Sequence, residues 1–249
     1  MVMSVHLILW LNYKSIWYFF CGKDKIVGKV RKGLRNMAKI LYLNVGKPEL
    51  KNWKGREEQS AISKKSVKQA YLTKNSFEGD GVAATEYHGG PDRAVCFYPF
   101  EHYQKWSDEF NENIEAPTFG ENISALGMNE DMVYIGDIYR LGETKIQVTQ
   151  GRIPCSKISK NNDLDLLLKR VVQTGYTGYF FRVLEEGIVN EDAEIVLLER
   201  KQEDFSILMA NEILFHRRND MKAIESLIGT EGLAEAWKEE LNKLLIQKN

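Results

Sequence analysis

The chain has 249 residues, 43% hydrophobic and 28% charged, with a net charge of −1 at neutral pH. That is the composition of a soluble globular protein of one large domain or one and a half, and the near-neutral balance argues against a general nucleic-acid binder. The only cysteines, Cys21, Cys96 and Cys155, lie far apart with no CxxC pair, so neither a disulfide framework nor a structural zinc site is expected, and a reducing, cytoplasmic setting is.

The first 36 residues differ from the rest. They carry seven Lys/Arg against one Asp, net +6, whereas the remainder holds 27 basic and 34 acidic residues, net −7. Their apolar run, "SVHLILWLNYKSIWYFFCG", is broken by Asn12 and Lys14, and a membrane-spanning helix takes about 20 mostly apolar residues. A signal peptide places its positive charge before the apolar run; here it follows, from Lys23 to Arg35. Two readings of 1–36 stand: a weak membrane anchor with a basic cytoplasmic flank, or translated upstream sequence with the working protein starting at Met37. The clean strand pattern from Lys39 onward favours the second.

From Lys39 to about Val148 the pattern is mostly strand. "KILYLNV" and "RAVCFY" are rich in β-branched and aromatic residues, "MVYIGDIYRLG" alternates around a Gly-Asp turn, and "TKIQVTQ" alternates throughout. One helix interrupts them: "FEHYQKWSDEF" sets Phe100, Tyr103, Trp106 and Phe110 on one stripe. A second helix is expected at "NNDLDLLLKRVVQTG", with Asn161, Asn162 and Asp163 as cap-type residues and Gly175 as its stop. "GYFFRVLEEG" and "AEIVLLER" return to strand. Short strands with isolated helices predict a strongly curved sheet or barrel. From about Asp204 the period becomes helical, in "FSILMANEILFH", "MKAIESLIG" and "GLAEAWKEELNKLLI", the last with Leu233, Trp237, Leu241, Leu244 and Leu245 on one face. Such short helices need each other's apolar faces. The expected organisation is α+β: an atypical extension over 1–36, a β-barrel-like body over 37–202, and a three-helix unit over 203–249.

Cys155 lies in "QGRIPCSKI", after a proline and between Arg152 and Lys157. Pro154 fixes its own φ and biases Ile153 toward an extended shape, so the loop is stiff. Nearby cations favour thiolate, the form that ligates metals or attacks electrophiles. A small buried hydrophobe in a loop, with solvated cations around it, reads from the same residues. In "YHGGPDRA", Gly89, Gly90, Pro91 and Asp92 form a turn, and consecutive glycines expose N–H groups suited to an anion. His88 and Arg93 flank it with further donors; an ordinary hairpin connection reads equally. Lys64 in "SAISKKSV" can hold a phosphate as a point charge, Asp80 sits between glycines in "EGDG", and "PTFGENIS" offers Gly120, Glu121 and Asn122 in a turn. These too fit a solvated strand face and a capped loop. The chain has no GxGxxG, P-loop, HExxH or GxSxG motif and no cysteine set for an iron–sulfur cluster.

Taken together, "SAISKKSV", "GDGVA", "HGGPDRAVCFYPFEHYQKW", "FGENIS", "GDIYRLG" and "QVTQGRIPCSKI" resemble the MOSC domain family, named for the C-terminal domain of molybdenum-cofactor sulfurases, from about Met37 to Arg200. "TGYFFRVLEEG" and the trailing helices resemble its YiiM-type subgroup; residues 1–36 have no counterpart. The resemblance implies a β-barrel-like body with a cleft for the molybdenum cofactor (molybdopterin). Cys155 matches the position of the metal ligand, and a soft thiolate suits a metal that already holds dithiolene sulfur. By motif position, Lys64, Arg93 and Arg152 would contact phosphate and pterin, and Asp80, His88, Gly89, Gly90, Asp92, Glu121 and Asn122 would belong to the cleft. Gly151 departs from the pattern, since a proline is usual there. Relatives of this type reduce N-hydroxylated compounds, hydroxylaminopurines or amidoximes, with electrons from outside. A flavin reductase or ferredoxin-type partner is therefore expected, with the three-helix unit as its docking surface or as a plain structural cap. A sulfur-carrier or cofactor-carrier role through a Cys155 persulfide is the alternative.

Overall fold

The computed structural model describes residues 37–83 and 89–246. Both readings of the N-terminal segment, and His88, lie outside the described residues.

Strands β1 (Met37–Val45), β6 (Val95–Pro99), β7 (Ile123–Ala125), β8 (Ile138–Leu141), β9 (Thr144–Gly151), β10 (Tyr179–Glu185) and β12 (Glu194–Glu199) close into a seven-stranded barrel in the order β12-β8-β9-β10-β6-β7-β1. The β1–β12 pairing completes the circuit, with Met37 opposite Val196. Closure removes the exposed edges of an open sheet. Every neighbouring pair is antiparallel except β6–β7. β4 (Lys65–Ser66) adds to the far end of β1, and β5 (Gln69–Leu72) pairs with β11 (Gly187–Asn190).

The alternation in the sequence sets the two faces. Along β10, Tyr179, Phe181 and Val183 are buried, while Phe180 and Arg182 between them are only partly so. The inward set packs with Val95, Phe97, Ile146 and Val148 in one large core. The outward set includes Phe180, opposite Cys96 on β6 and Gln150 on β9. Period-2 geometry puts Cys96 and Phe180 on the same outer face, where the candidate site lies.

Helix α1 (Glu101–Phe110) buries Tyr103 and Trp106 of the expected stripe, together with His102. It joins Tyr98, Phe119, Ile158, Leu167 and Val171 in a second, aromatic core. Asn161 and Asn162 do not open the expected helix; they end a short one, α2 (Lys157–Asn162), and Asp163 follows in the left-handed region with φ 50°. Asp and Asn tolerate that conformation, so they stop a helix as readily as they start one. The next helix, α3 (Leu167–Thr174), ends at Gly175 as expected, with φ 72°.

The sequence pattern missed the hairpin of β2 (Glu49–Trp53) and β3 (Arg56–Ser60). Its signal is the Lys54-Gly55 turn, both residues at positive φ, as a two-residue primed turn requires. The hairpin's charged strands hide it from a search for apolar alternation.

Helices α4 (Ile207–Phe215), α5 (Met221–Ile228) and α6 (Glu235–Ile246) match the expected three. Ser206 accepts from the Met209 N–H and Asp220 from the Ala223 N–H, capping α4 and α5. Leu233, Trp237, Leu241 and Leu244 are buried in the same core as the barrel's inward residues. Among the described residues, no helix is long and apolar enough to cross a membrane.

Candidate functional site

A cavity of about 280 Å³ opens on the outer face of the barrel. Lys64, Asp80, Gly89, Gly90, Arg93, Asn122, Arg152 and Cys155, scattered over some ninety positions, all stand on its wall. β6 and β10 supply Cys96 and Phe180, and the stretch after β9 supplies Arg152 and Cys155.

The electrostatics are one-sided. Among the described residues, Lys64, Arg93, Arg152 and Lys157 line the cavity against a single carboxylate, Asp80. Lys64 and Asp80 form a buried ion pair, their side chains 5% and 6% exposed. Asp80 also accepts from the Gly46 N–H (2.8 Å) and from Asn122 Nδ2 (2.8 Å). Asn122 in turn accepts from the Cys96 N–H at 3.0 Å. Lys64 is thus a fixed charge rather than a mobile one. Arg152 is also held: its guanidinium donates to the Phe119 carbonyl and its N–H to the Gly178 carbonyl (3.0 Å).

Gly89 and Gly90 have φ of 86° and 88°, which a side chain would strain. At Gly89 an added Cβ would also press on Val82, 3.1 Å away. The turn therefore presents bare backbone to the cavity.

Two sequence candidates are placed off the wall. Glu121 is fully buried and accepts from Tyr103 Oη, Ser124 Oγ (2.8 Å) and the Phe119 N–H (3.2 Å). Its neighbours Gly120 and Asn122 face the cavity. Asp92 turns toward the C-terminal helices, pairing with Arg182 at 2.9 Å and accepting from the Glu235 N–H.

Cys96 is a wall residue that sequence reasoning passed over. It is 8% exposed, and burial pushes its thiol up, against the opposing pull of Arg152. Its one sequence signal was alternation: flanked by Val95 and Phe97, which point inward, it had to point outward. Cys155 is half-buried. Of these two, iodoacetamide at neutral pH is expected to label Cys155 faster and Cys96 at least about ten-fold more slowly, because a buried neutral thiol is a poor nucleophile. Peptide mass mapping after timed quenching reads both; equal rates in the native fold would contradict the placement of Cys96.

The MOSC domain family matches residues 84–196, and the YiiM-like, 3-alpha helix domain matches residues 206–246. YflK of Bacillus subtilis, an uncharacterised protein, is 42% identical over 200 residues, 80% of this chain and 90% of its own length. The chain belongs to the MOSC family. It falls with the members carrying three C-terminal helices: the crystal structure of YiiM from Geobacillus stearothermophilus superposes with a TM-score of 0.71 at 35% identity, covering 84% of this chain and 99% of that one. A Gibberella moniliformis protein named as a reductase is 34% identical over 135 residues, 53% of this chain and 24% of its own length.

MOSC domains are associated with the molybdenum cofactor, and the wall suits such a group chemically. An anionic, sulfur-rich ligand needs positive charge, bare backbone donors and a soft thiol. The cavity offers a surplus of cations, the Gly89–Gly90 turn and Cys155.

Proposed function

We propose that this protein is a molybdenum-cofactor-dependent reductase of N-hydroxylated compounds of the hydroxylaminopurine or amidoxime type, supplied with electrons by an external flavin reductase or ferredoxin-type protein. One observation carries the reading: Cys155 shares a single cavity with Arg93, Arg152, Lys157 and the Gly89–Gly90 turn. The relative named as a reductase supports the oxidoreductase class.

In this reading the Cys155 thiolate holds the metal. Arg93 and Arg152 pair with the phosphate end, and the N–H groups near Gly89–Gly90 add donors that carry no rotamer entropy. When bound, the cofactor supplies two-electron reduction at the metal; the protein's part is binding, orientation and electrostatics. The Lys64–Asp80–Asn122 network keeps one wall rigid, and Phe180 adds an apolar side chain to the lining.

The test is the molybdenum and pterin content of protein made with an intact cofactor pathway, beside its Cys155→Ala variant. The parent is expected to carry near-stoichiometric molybdenum and to reduce a hydroxylaminopurine with an artificial donor; the variant should keep its fold and lose both. Molybdenum in neither protein, with the pathway shown to work, would end the reading and turn attention to a persulfide on Cys155, seen as a gain of about 32 Da.

A further inference from the structure

Asp92 sits in the turn that carries Gly89, Gly90 and Arg93, yet its side chain leaves the cavity. Three hydrogen bonds close a ring around it. Its carbonyl accepts from Thr149 Oγ1 (2.7 Å), the Thr149 carbonyl accepts from the Ala234 N–H (3.2 Å), and the Glu235 N–H returns to Asp92 Oδ2 (3.3 Å). Glu235 opens α6, so Asp92 caps that helix from a distant segment, where the positive end of the helix favours a carboxylate. Arg182 braces the ring, pairing with Asp92 Oδ1 at 2.9 Å and donating to the Gly232 carbonyl at 3.1 Å. Thr149 lies three residues before Arg152 on the same chain. The start of α6 therefore touches both segments that bring arginines to the cavity.

We propose that the three-helix unit is a clamp on the binding site, and that Asp92 is its positioning residue. Through the ring of Asp92, Thr149 and the first turn of α6, the clamp fixes the Gly89–Arg93 turn and the end of β9 relative to each other, so that Arg93 and Arg152 are set in advance for a phosphate-bearing ligand. The inference rests on that part of the proposed function which has the cavity take a phosphate-bearing ligand. It gives the C-terminal helices a part in binding, where a plain cap would have none. A site whose cations are already in place loses less entropy on binding, and outer groups that orient the contacting ones matter accordingly.

The experiment titrates inorganic pyrophosphate into the full-length, cofactor-free chain by calorimetry, for the parent, Asp92→Ala, Asp92→Asn and Asp220→Ala. Asp92→Asn keeps an acceptor for the Glu235 N–H and gives up the charge facing Arg182. Asp220→Ala removes a helix cap of the same kind, on α5, with no link to the turn; it reports plain destabilisation of the helical unit. Asp92→Ala is expected to weaken pyrophosphate binding about ten- to hundred-fold, Asp92→Asn by an intermediate factor, and Asp220→Ala not at all, although both alanine variants melt earlier. Parent-like affinity in Asp92→Ala, an equal loss in Asp220→Ala, or no pyrophosphate binding by the parent would each overturn the clamp. Molybdenum content measured on protein from cofactor-producing cells separates the two ideas: if the parent holds no molybdenum but the pyrophosphate pattern appears, the cofactor reading fails and the clamp stands.

Discussion

Replacing Asp80 by alanine is expected to cost about 3–5 kcal/mol of folding stability, the usual penalty for leaving one member of a buried ion pair without its partner. The Lys64 and Asp80 side chains are almost wholly sequestered. Removing the carboxylate strands the Lys64 ammonium and the Gly46 N–H, and leaves Asn122 Nδ2 with only the Asn44 carbonyl at 3.2 Å. Asn122 also accepts from the Cys96 N–H, so the damage reaches β6 and the cavity wall. Asp80→Asn should cost less, because one acceptor survives. Adding Lys64→Met to Asp80→Ala should recover much of the loss, since an apolar side chain of similar length needs no partner. Urea unfolding of the cofactor-free chain measures all three. A loss below about 1 kcal/mol in Asp80→Ala would mean that Lys64 reaches water and that the pair is an ordinary surface contact.

Gly151→Ala is expected to cost about 1–3 kcal/mol, the usual penalty for overpacking. Gly151 is the last residue of β9 and lies opposite Tyr179. A Cβ there would collide with Asn211 Oδ1 and lie 3.1 Å from Trp237 Cζ2. Asn211 is fully buried and cannot swing aside without giving up its bonds to the Gly175 carbonyl (2.8 Å) and Thr177 Oγ1 (3.0 Å). Arg152 follows directly, so the collision would also disturb its aim. The double variant Gly151→Ala/Asn211→Ala should be less destabilised than the two single losses added together, with a coupling of about 1 kcal/mol or more. Strict additivity in a denaturant double-mutant cycle would show that the two residues do not press on each other. The departure from proline noted in the sequence falls where the structure leaves no room for a Cβ against Asn211 of α4.

Much of the fold was legible because its signals are local. Alternation marked β9 and β10, the stripe of Tyr103 and Trp106 marked α1, and the face of Trp237, Leu241 and Leu244 marked α6, which starts at Glu235 and leaves Leu233 just before it. The β2–β3 hairpin and the role of Asn161–Asp163 were not, because charged strands carry little apolar period and the same residue types serve both ends of a helix.

The amino-acid sequence by itself determined the barrel with three trailing helices, the family, and the motifs that carry Lys64, Arg93, Arg152 and Cys155, since each rests on a short-range pattern of residue types. The tertiary structure alone decided which way each polar side chain points. It turned Glu121 inward to Tyr103 and Ser124, gave Asp92 to α6, tied Lys64 to Asp80 and put Cys96 on the cavity wall. A buried donor or acceptor must be satisfied by whatever partner the fold brings near, and those partners stand tens of residues away along the chain.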